Sequence, residues 1–406
     1  MYLTFAWRYF KAKKSANAIN IIAWVTVGVI AFATCCQVLV LSVFNGFEDL
    51  VKSLYSSFYT DVKVVPATGK TFTLTLKQIT ILKQLPAVEN FSLIAEEKAL
   101  LKNQDAQTVI YLKGVDDNYA KVSGVAAKIN RGKYFTGTTN DPFLVTGSGI
   151  QNAAAVNVDA NLPASSLTVI LPRKNSLNND PLQSLSEGFI KASGSFTIQQ
   201  EFDDKYAITN IGFVKQQIGF AENEYSAVEI KLNPKADPGD EKKTISSLLG
   251  NEYIVQTRYE QNTSLYNTMK LEKWAIYAVL TLILIIAAFN MVSALTMLVL
   301  EKRKDINVLQ SMGAGEKSIL KIFLSEGLLL GGIGTICGIL MAVVICFLQL
   351  KFKLIKLEGG SFLLDYFPVK LIITDFLLVA ATATAIAFTA AWFPARKASR
   401  QHFELR

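Results

Sequence analysis

Apolar positions along the 406-residue chain gather into four long runs that carry almost no charge. Ile21–Phe44 covers 24 residues and Trp274–Leu300 covers 27, and neither holds a formal charge. Gly327–Leu350 adds 24 uncharged residues, and Leu371–Phe393 adds 23 with Asp375 as its one acid. About 20 apolar residues in a helix cross the hydrocarbon core of a bilayer. The pattern therefore predicts four transmembrane helices, at 21–44, 274–300, 319–350 and 371–393. The first run exceeds the roughly 7–15 apolar residues of a cleaved signal peptide, so it is read as a retained helix. The rest of the chain is then a cytoplasmic N-terminus (1–20), a large domain (45–273), a short loop (301–318), a second loop (351–370) and a tail (394–406).

Within 45–273 the period changes. "DVKVVP" (Asp61–Pro66) alternates as a strand does, "LKQITILKQLP" (Leu76–Pro86) has helical spacing, and "TVIYLKGV" (Thr108–Val115) returns to strand. The same order recurs in "SAVEIKL" (Ser226–Leu232), "DEKKTISSLLG" (Asp240–Gly250) and "EYIVQTR" (Glu252–Arg258). Two strand–helix–strand units thus flank a middle portion, about 116–225, which reads as an inserted β-rich subdomain. The polar, turn-rich stretch Pro172–Lys191 reads as a long loop. The expected fold class is a membrane protein of four transmembrane helices with a large extracytoplasmic α/β domain between helices one and two.

Charge gives the orientation. Thirteen cations flank the runs on one side: Arg8, Lys11, Lys13 and Lys14, then Lys302, Arg303, Lys304, Lys317 and Lys321, then Arg396, Lys397, Arg400 and Arg406. The loop on the other side holds Lys351, Lys353, Lys356 and Lys370 against Glu358 and Asp365. Positive flanks stay in the cytoplasm, so both termini are expected there and the large domain outside. The net charge of +8 follows from this bias and is not a nucleic-acid signature. All four cysteines, Cys35, Cys36, Cys337 and Cys346, fall in the apolar runs, so the large domain is expected to rest on its own core rather than on disulfides.

Catalytic chemistry finds little support. His402 is the single histidine, and it lies in the tail, which argues against a Ser-His-Asp nucleophile or the usual zinc site. Two stretches imitate a phosphate loop. "TGKTF" has Gly69-Lys70-Thr71, but Val64 stands where a P-loop needs glycine. "GAGEKS" has Glu316 between Gly315 and Lys317. No catalytic or metal-binding residue is assigned, and any nucleotide must bind to another chain. Asn290, in mid-run, reads as a polar clasp to a neighbouring helix with Gln37 as a partner. Gly327, Gly331, Gly334 and Gly338 form one smooth helix face suited to close packing.

"LSVFNGFE" (Leu41–Glu48), "MKLEKW" (Met269–Trp274), "AAFNMVSAL" (Ala287–Leu295) and "EKRKDINVLQSMGAGEKSI" (Glu301–Ile319), with "PARKASRQHFELR" at the end, give the chain a resemblance to the permease subunits of the lipoprotein-releasing (Lol) ABC transporter, within the FtsX-like and MacB-like permease group. His402 stands where that family's tail usually has proline. The resemblance implies a bacterial inner-membrane protein that pairs as a homo- or heterodimer. It further implies cytoplasmic ATPase subunits that carry ATP and Mg. Such permeases take lipoproteins from the outer leaflet and pass them to a periplasmic chaperone. It points to a lipoprotein cavity formed by Val40, Val43, Phe44 and Phe47 on helix one and Trp274, Tyr277, Ala278 and Thr281 on helix two. The same residues also suit plain lipid contact or an aromatic belt. Pro172, Arg173 and Lys174 begin the segment where some members dock the chaperone. Between helices two and three, Ile306, Leu309 and Met312 give a short helix an apolar edge beside Glu301, Arg303 and Asp305, with Gly313 as its stop. That is the shape of an ATPase-coupling helix; the alternative is a basic clamp on anionic lipid. A MacB-like exporter of drugs or peptides would carry a fused ATPase, and an FtsX-like signalling regulator a smaller external domain.

Overall fold

The computed structural model describes residues 17–158, 165–174, 184–356 and 366–400. Arg8, Lys11, Lys13, Lys14, Glu358, Asp365, His402, Arg406 and the rest of the docking segment (175–183) lie outside the described residues. The chain divides into two compact units, Met1–Leu50 with Asn267–Arg406, and Val51–Tyr266.

Eight helices carry the architecture. They are α1 (Asn17–Phe58), α2 (Leu76–Gln84), α3 (Ile211–Ile218), α4 (Pro238–Leu249), α5 (Thr263–Glu301), α6 (Arg303–Ser311), α7 (Glu316–Phe352) and α8 (Ile373–Ser399). The strands are β1 (Val62–Pro66), β2 (Phe72–Thr73), β3 (Val88–Asn103), β4 (Ala106–Val115), β5 (Ile129–Gly132) and β6 (Phe143–Gly147). They continue with β7 (Ser166–Pro172), β8 (Leu185–Phe196), β9 (Tyr206–Asn210), β10 (Glu224–Tyr225), β11 (Ala227–Leu232) and β12 (Tyr253–Thr257).

In the first unit α1, α5, α7 and α8 are each long and apolar enough to cross a membrane. All four outrun the apolar runs that announce them. Helical hydrogen bonding does not stop where hydropathy does: α1 continues through polar residues to Phe58, and α8 continues through Pro394 to Ser399. The packing is tight where glycine permits it. A Cβ on Gly334 would sit 2.9 Å from Cβ of Ile30 in α1, and one on Gly327 would meet Ala391 of α8 and Leu295 of α5. The glycine face of α7 therefore serves two neighbours, Gly327 and Gly331 against α8, Gly334 and Gly338 against α1.

In the second unit the two outer strand–helix–strand units form as the periodicity predicts. Local chemistry fixes their helices. Thr75 and Gln78 make a capping box on α2, and Asp237 with Pro238 starts α4, which stops at Gly250. The middle portion differs from the expectation of a separate insert. Among the described residues one ten-stranded sheet runs β12-β1-β11-β3-β4-β9-β6-β8-β5, and β7 bridges β3 and β8. The strands β3, β4, β9, β6, β8 and β7 thus close a ring. The 16-residue β3 belongs to both parts, so the sheet does not break; only the core does. One apolar cluster fills the ring with Leu101, Leu112, Leu144, Val169 and Phe213. A second lies under α2 and α4 with Leu82, Ile230, Ile245 and Val255.

The loop expected over Pro172–Lys191 is shorter than read, because Leu185–Lys191 belongs to β8. Its inward positions are Ser186, Gly188, Ile190 and Ala192. Small and polar residues there hide the alternation.

Candidate functional site

Two of the sequence motifs meet at the end of the helix bundle where α1 leaves and α5 returns. Asn45 of "LSVFNGFE" donates from Nδ2 to Oδ2 of Asp375 at 2.6 Å. Lys273 of "MKLEKW" donates to Oδ1 of Asn45 at 2.9 Å and lies 3.2 Å from Oδ2 of Asp375. One amide and one ion pair thereby tie α1, α5 and the first turn of α8. The next residues of the motif are also engaged. A Cβ on Gly46 would run into the backbone of Pro368. Phe47 meets Phe367 edge-on with ring centroids 5.7 Å apart. Asp49 pairs with the Lys370 ammonium, and the Lys370 backbone N–H donates to Ser42 O at 2.9 Å. The segment before α8 is strapped along the last turns of α1 in the membrane unit.

The eight residues named for the lipoprotein cavity do not share one surface. Val40, Trp274 and Ala278 are exposed, and Val43 and Phe44 are half-buried. Phe47 faces the strap. Tyr277 packs on the cluster of Val38, Leu41, Ala342 and Val379, and Thr281 accepts a bond from Gln37 Nε2 at 3.2 Å. The expected Gln37–Asn290 clasp does not form. Helical phase turns Ala287, Ala288 and Met291 inward, which leaves Asn290 on the exposed face of α5.

The stretch between α5 and α7 folds as α6 and stops at Gly313, whose φ of +93° suits glycine. Its apolar edge is not a single outward stripe. Ile306 points into the bundle against Val299, Ile319, Phe323, Ala395 and Ala398, and Leu309 is half-buried. The outward apolar residues are Val308, 59% exposed, and Met312, 80% exposed, one turn apart. Arg303 and Asp305 flank them in the open, and Glu301 is half-buried. Sequence reasoning missed Val308 because a spacing of three from Ile306 skips it.

In the large domain, Arg173 and Lys174 follow β7 and differ in state. The Lys174 ammonium pairs with buried Glu224, which also accepts from Thr71 Oγ1 at 2.5 Å and Ala221 N at 3.2 Å. Burial alone would raise the Glu224 carboxyl; these partners hold it below the usual range. Arg173 is exposed, and its guanidinium meets no partner among the described residues. With Pro172 it lines an open pocket of about 400 Å³ together with Lys70, Thr71, Ile218 and Phe220. The false phosphate loop is thus part of a wall: Lys70 reaches Glu97 at 3.1 Å.

The last turn of α1 is also built into that domain. Phe58 stacks on Phe202 with centroids 4.4 Å apart. Lys113 lies 4.8 Å from the ring centres of both Phe58 and Tyr119, and 2.7 Å from Glu229 Oε1. Arg258 bonds Tyr59 O and Asp61 beside it. Among the described residues no three His, Cys, Asp or Glu side chains converge as a metal site would need.

Residues 277–403 match the FtsX-like permease C-terminal family. The chain is 26% identical to the lipoprotein-releasing system transmembrane protein LolC of Neisseria meningitidis, over 97% of this chain and 95% of that one. It is 24% identical to LolE of Haemophilus influenzae, over 97% and 96%. Among solved structures it is similar to the periplasmic region of MacB from Actinobacillus actinomycetemcomitans, with TM-score 0.37 and 11% identity over 54% of this chain and 98% of that one.

Proposed function

We propose that this chain, an FtsX-like permease of the lipoprotein-releasing type, extracts lipoproteins from the outer leaflet of the inner membrane and hands them to a periplasmic acceptor. The similarity that extends over 97% of the chain carries this reading, since it includes the large domain as well as the helices. ATP is hydrolysed by a separate subunit, because neither glycine-lysine stretch of this chain has the spacing of a phosphate loop. The large domain is periplasmic. The excess of Lys and Arg around α6 and after α8 supports a cytoplasmic position for both termini.

Energetics explain why such a permease needs both a motor and an acceptor. Each buried CH₂ stabilises by about 0.8 kcal/mol, so three acyl chains hold a lipoprotein with roughly 30–40 kcal/mol. Escape through water is negligible, and the chains must pass from one apolar surface to another. In this scheme α6 seats in an ATPase groove with Val308 and Met312 as its apolar contacts, while Ile306 keeps it attached to the bundle. Exposed Arg173 and the adjoining cavity suit an acidic and apolar segment of the chaperone. A second permease chain covers the open face of α5.

Depletion of the protein in its native cell tests the central claim. Outer-membrane lipoproteins should accumulate in the inner membrane. Their normal arrival in the outer membrane would refute it.

A further inference from the structure

The end of α7 away from α6 runs into a stretch that the fold leaves uncovered. Lys351, Phe352, Lys353, Leu354, Ile355 and Lys356 are all exposed. Phe352 and Ile355 are 58% exposed and Leu354 66%. The ion pairs of this unit belong to Lys273, Lys302 and Lys370. Among the described residues Lys351, Lys353 and Lys356 therefore keep unneutralised charges. Two of them lie over rings instead, Lys351 at 5.6 Å from Phe352 and Lys353 at 4.2 Å from Tyr366. The backbone beneath is fixed. Buried Gln349 donates from Nε2 to Ile355 O at 3.0 Å and Phe367 O at 3.3 Å, and its Oε1 accepts from Ile355 N at 2.9 Å. Lys356 bridges to Tyr366. Lys353 holds the left-handed conformation, with φ +49°, which glycine adopts freely and lysine at a cost. A cation near a helix end suits its dipole, but the dipole gives no reason for three apolar side chains in the open beside it.

We propose that Lys351, Lys353 and Lys356 form, with Phe352, Leu354 and Ile355, a binding site for an anionic phospholipid at the end of α7. Continuity carries the choice of partner. Helix α7 is long and apolar enough to cross a membrane, so the stretch follows directly on a lipid-facing surface. At the bilayer interface apolar side chains enter the acyl boundary while lysines reach up to the headgroups. The two halves of the site select together. The ammonium groups favour an anionic headgroup over a zwitterionic one, and the apolar side chains favour a lipid over a free phosphate ester. In the orientation proposed above this is the outer surface, where short loops ordinarily hold few Lys and Arg. A local ligand accounts for the departure. The site also shares hydrogen bonds with the strap on α1, since Ile355 O accepts from Phe367 N at 3.1 Å. The inference needs α7 to span a bilayer and does not depend on what the permease carries.

The test places a reporter in the patch. Leu354→Trp adds one indole at an exposed position, and the emission it adds over the unmodified chain comes from this site. The full chain is reconstituted in phosphatidylcholine nanodiscs. These also contain phosphatidylglycerol, or phosphatidylcholine, with a nitroxide quencher on the upper acyl chain. The phosphatidylglycerol probe should quench the added emission at a mole fraction at least about five-fold lower, the factor for one lysine near an anionic surface. Lys351→Gln with Lys356→Gln in the reporter chain should remove most of that difference. Lys353→Gly, which keeps the left-handed backbone and deletes one cation, should narrow it without a lower melting temperature. Soluble glycerophosphoglycerol, the headgroup without acyl chains, should not displace the probe. Equal quenching by the two probes in the reporter chain overturns the inference. So does a difference that survives the loss of all three lysines. Displacement by the soluble headgroup makes this a site for free phosphate esters and overturns the lipid claim. Absence of quenching by either probe puts the patch outside the bilayer and overturns it too.

Discussion

Replacing Lys113 by Met should destabilise the large domain by about 3–5 kcal/mol, the usual cost of leaving one member of a buried ion pair behind. The side chain of Lys113 is 1% exposed and that of Glu229 4%. Glu229 Oε2 has no partner among the described residues. Once Lys113 is gone, the remaining cation is Lys63 at 3.8 Å, half-buried and beyond hydrogen-bond reach. Methionine keeps the packing against Phe58 and Tyr119, so the loss is electrostatic rather than steric. The double variant Lys113→Met, Glu229→Gln removes both charges and should regain most of the loss. Pulse proteolysis across a urea series, on the full chain in detergent, reports the stability of this domain. A cost below about 1 kcal/mol for the single variant, or additive costs in the double variant, would show that the pair is not coupled as described.

Gly46→Ala should lower the melting temperature of the detergent-purified chain, since the new methyl group meets the Pro368 backbone; overpacking of this kind costs about 1–3 kcal/mol. Ile306→Ala should destabilise the membrane unit by about 2–5 kcal/mol. Val308→Asp should leave the melting temperature unchanged and reduce co-purification of the ATPase, as quantified on gels. Asp203 accepts one bifurcated bond from the Ile198 N–H, yet burial pushes its carboxyl from 3.8 up to about 6. A raised carboxyl favours folding in its protonated form, so this contribution is present at low pH and is lost as pH rises through about 6. Urea midpoints of the large domain should therefore include a component that declines from pH 5 to pH 7, and Asp203→Asn should remove it.

Hydropathy suffices to find the four crossings, because runs of 23 to 27 residues with at most one charge are long enough to span a bilayer and too long for an ordinary core helix. It does not find their ends, since Asn45–Phe58 of α1 continues in helix through polar residues. Motif reading picks out Asn45 and Lys273 without a reason for either. The reason is Asp375, 102 residues after Lys273, while Asn45 stands 228 residues before it. No local pattern links three positions so far apart. At α6 the difficulty is different: Ile306, Val308, Leu309 and Met312 offer apolar side chains on more than one face, and only the position of α7 and α8 decides which face is inside. The ring of β3, β4, β9, β6, β8 and β7 escapes notice because Gly188 and Ser186 occupy core positions that a hydrophobic count ignores.

The pairing of β1 also bears on how the protein is made. Strand β1 is the first of the large domain to be synthesised, yet its neighbours are β11 and β12, with Val62 opposite both Ile230 and Thr257. Loop closure of that size must wait until nearly 200 residues have followed. During translocation α1 is already in the bilayer, and β1 hangs from it with both edges open. The domain closes only as α5 emerges behind β12. A chaperone that shields unpaired strands has its longest task at Val62–Pro66, and the arrival of α5 marks the moment when that task ends.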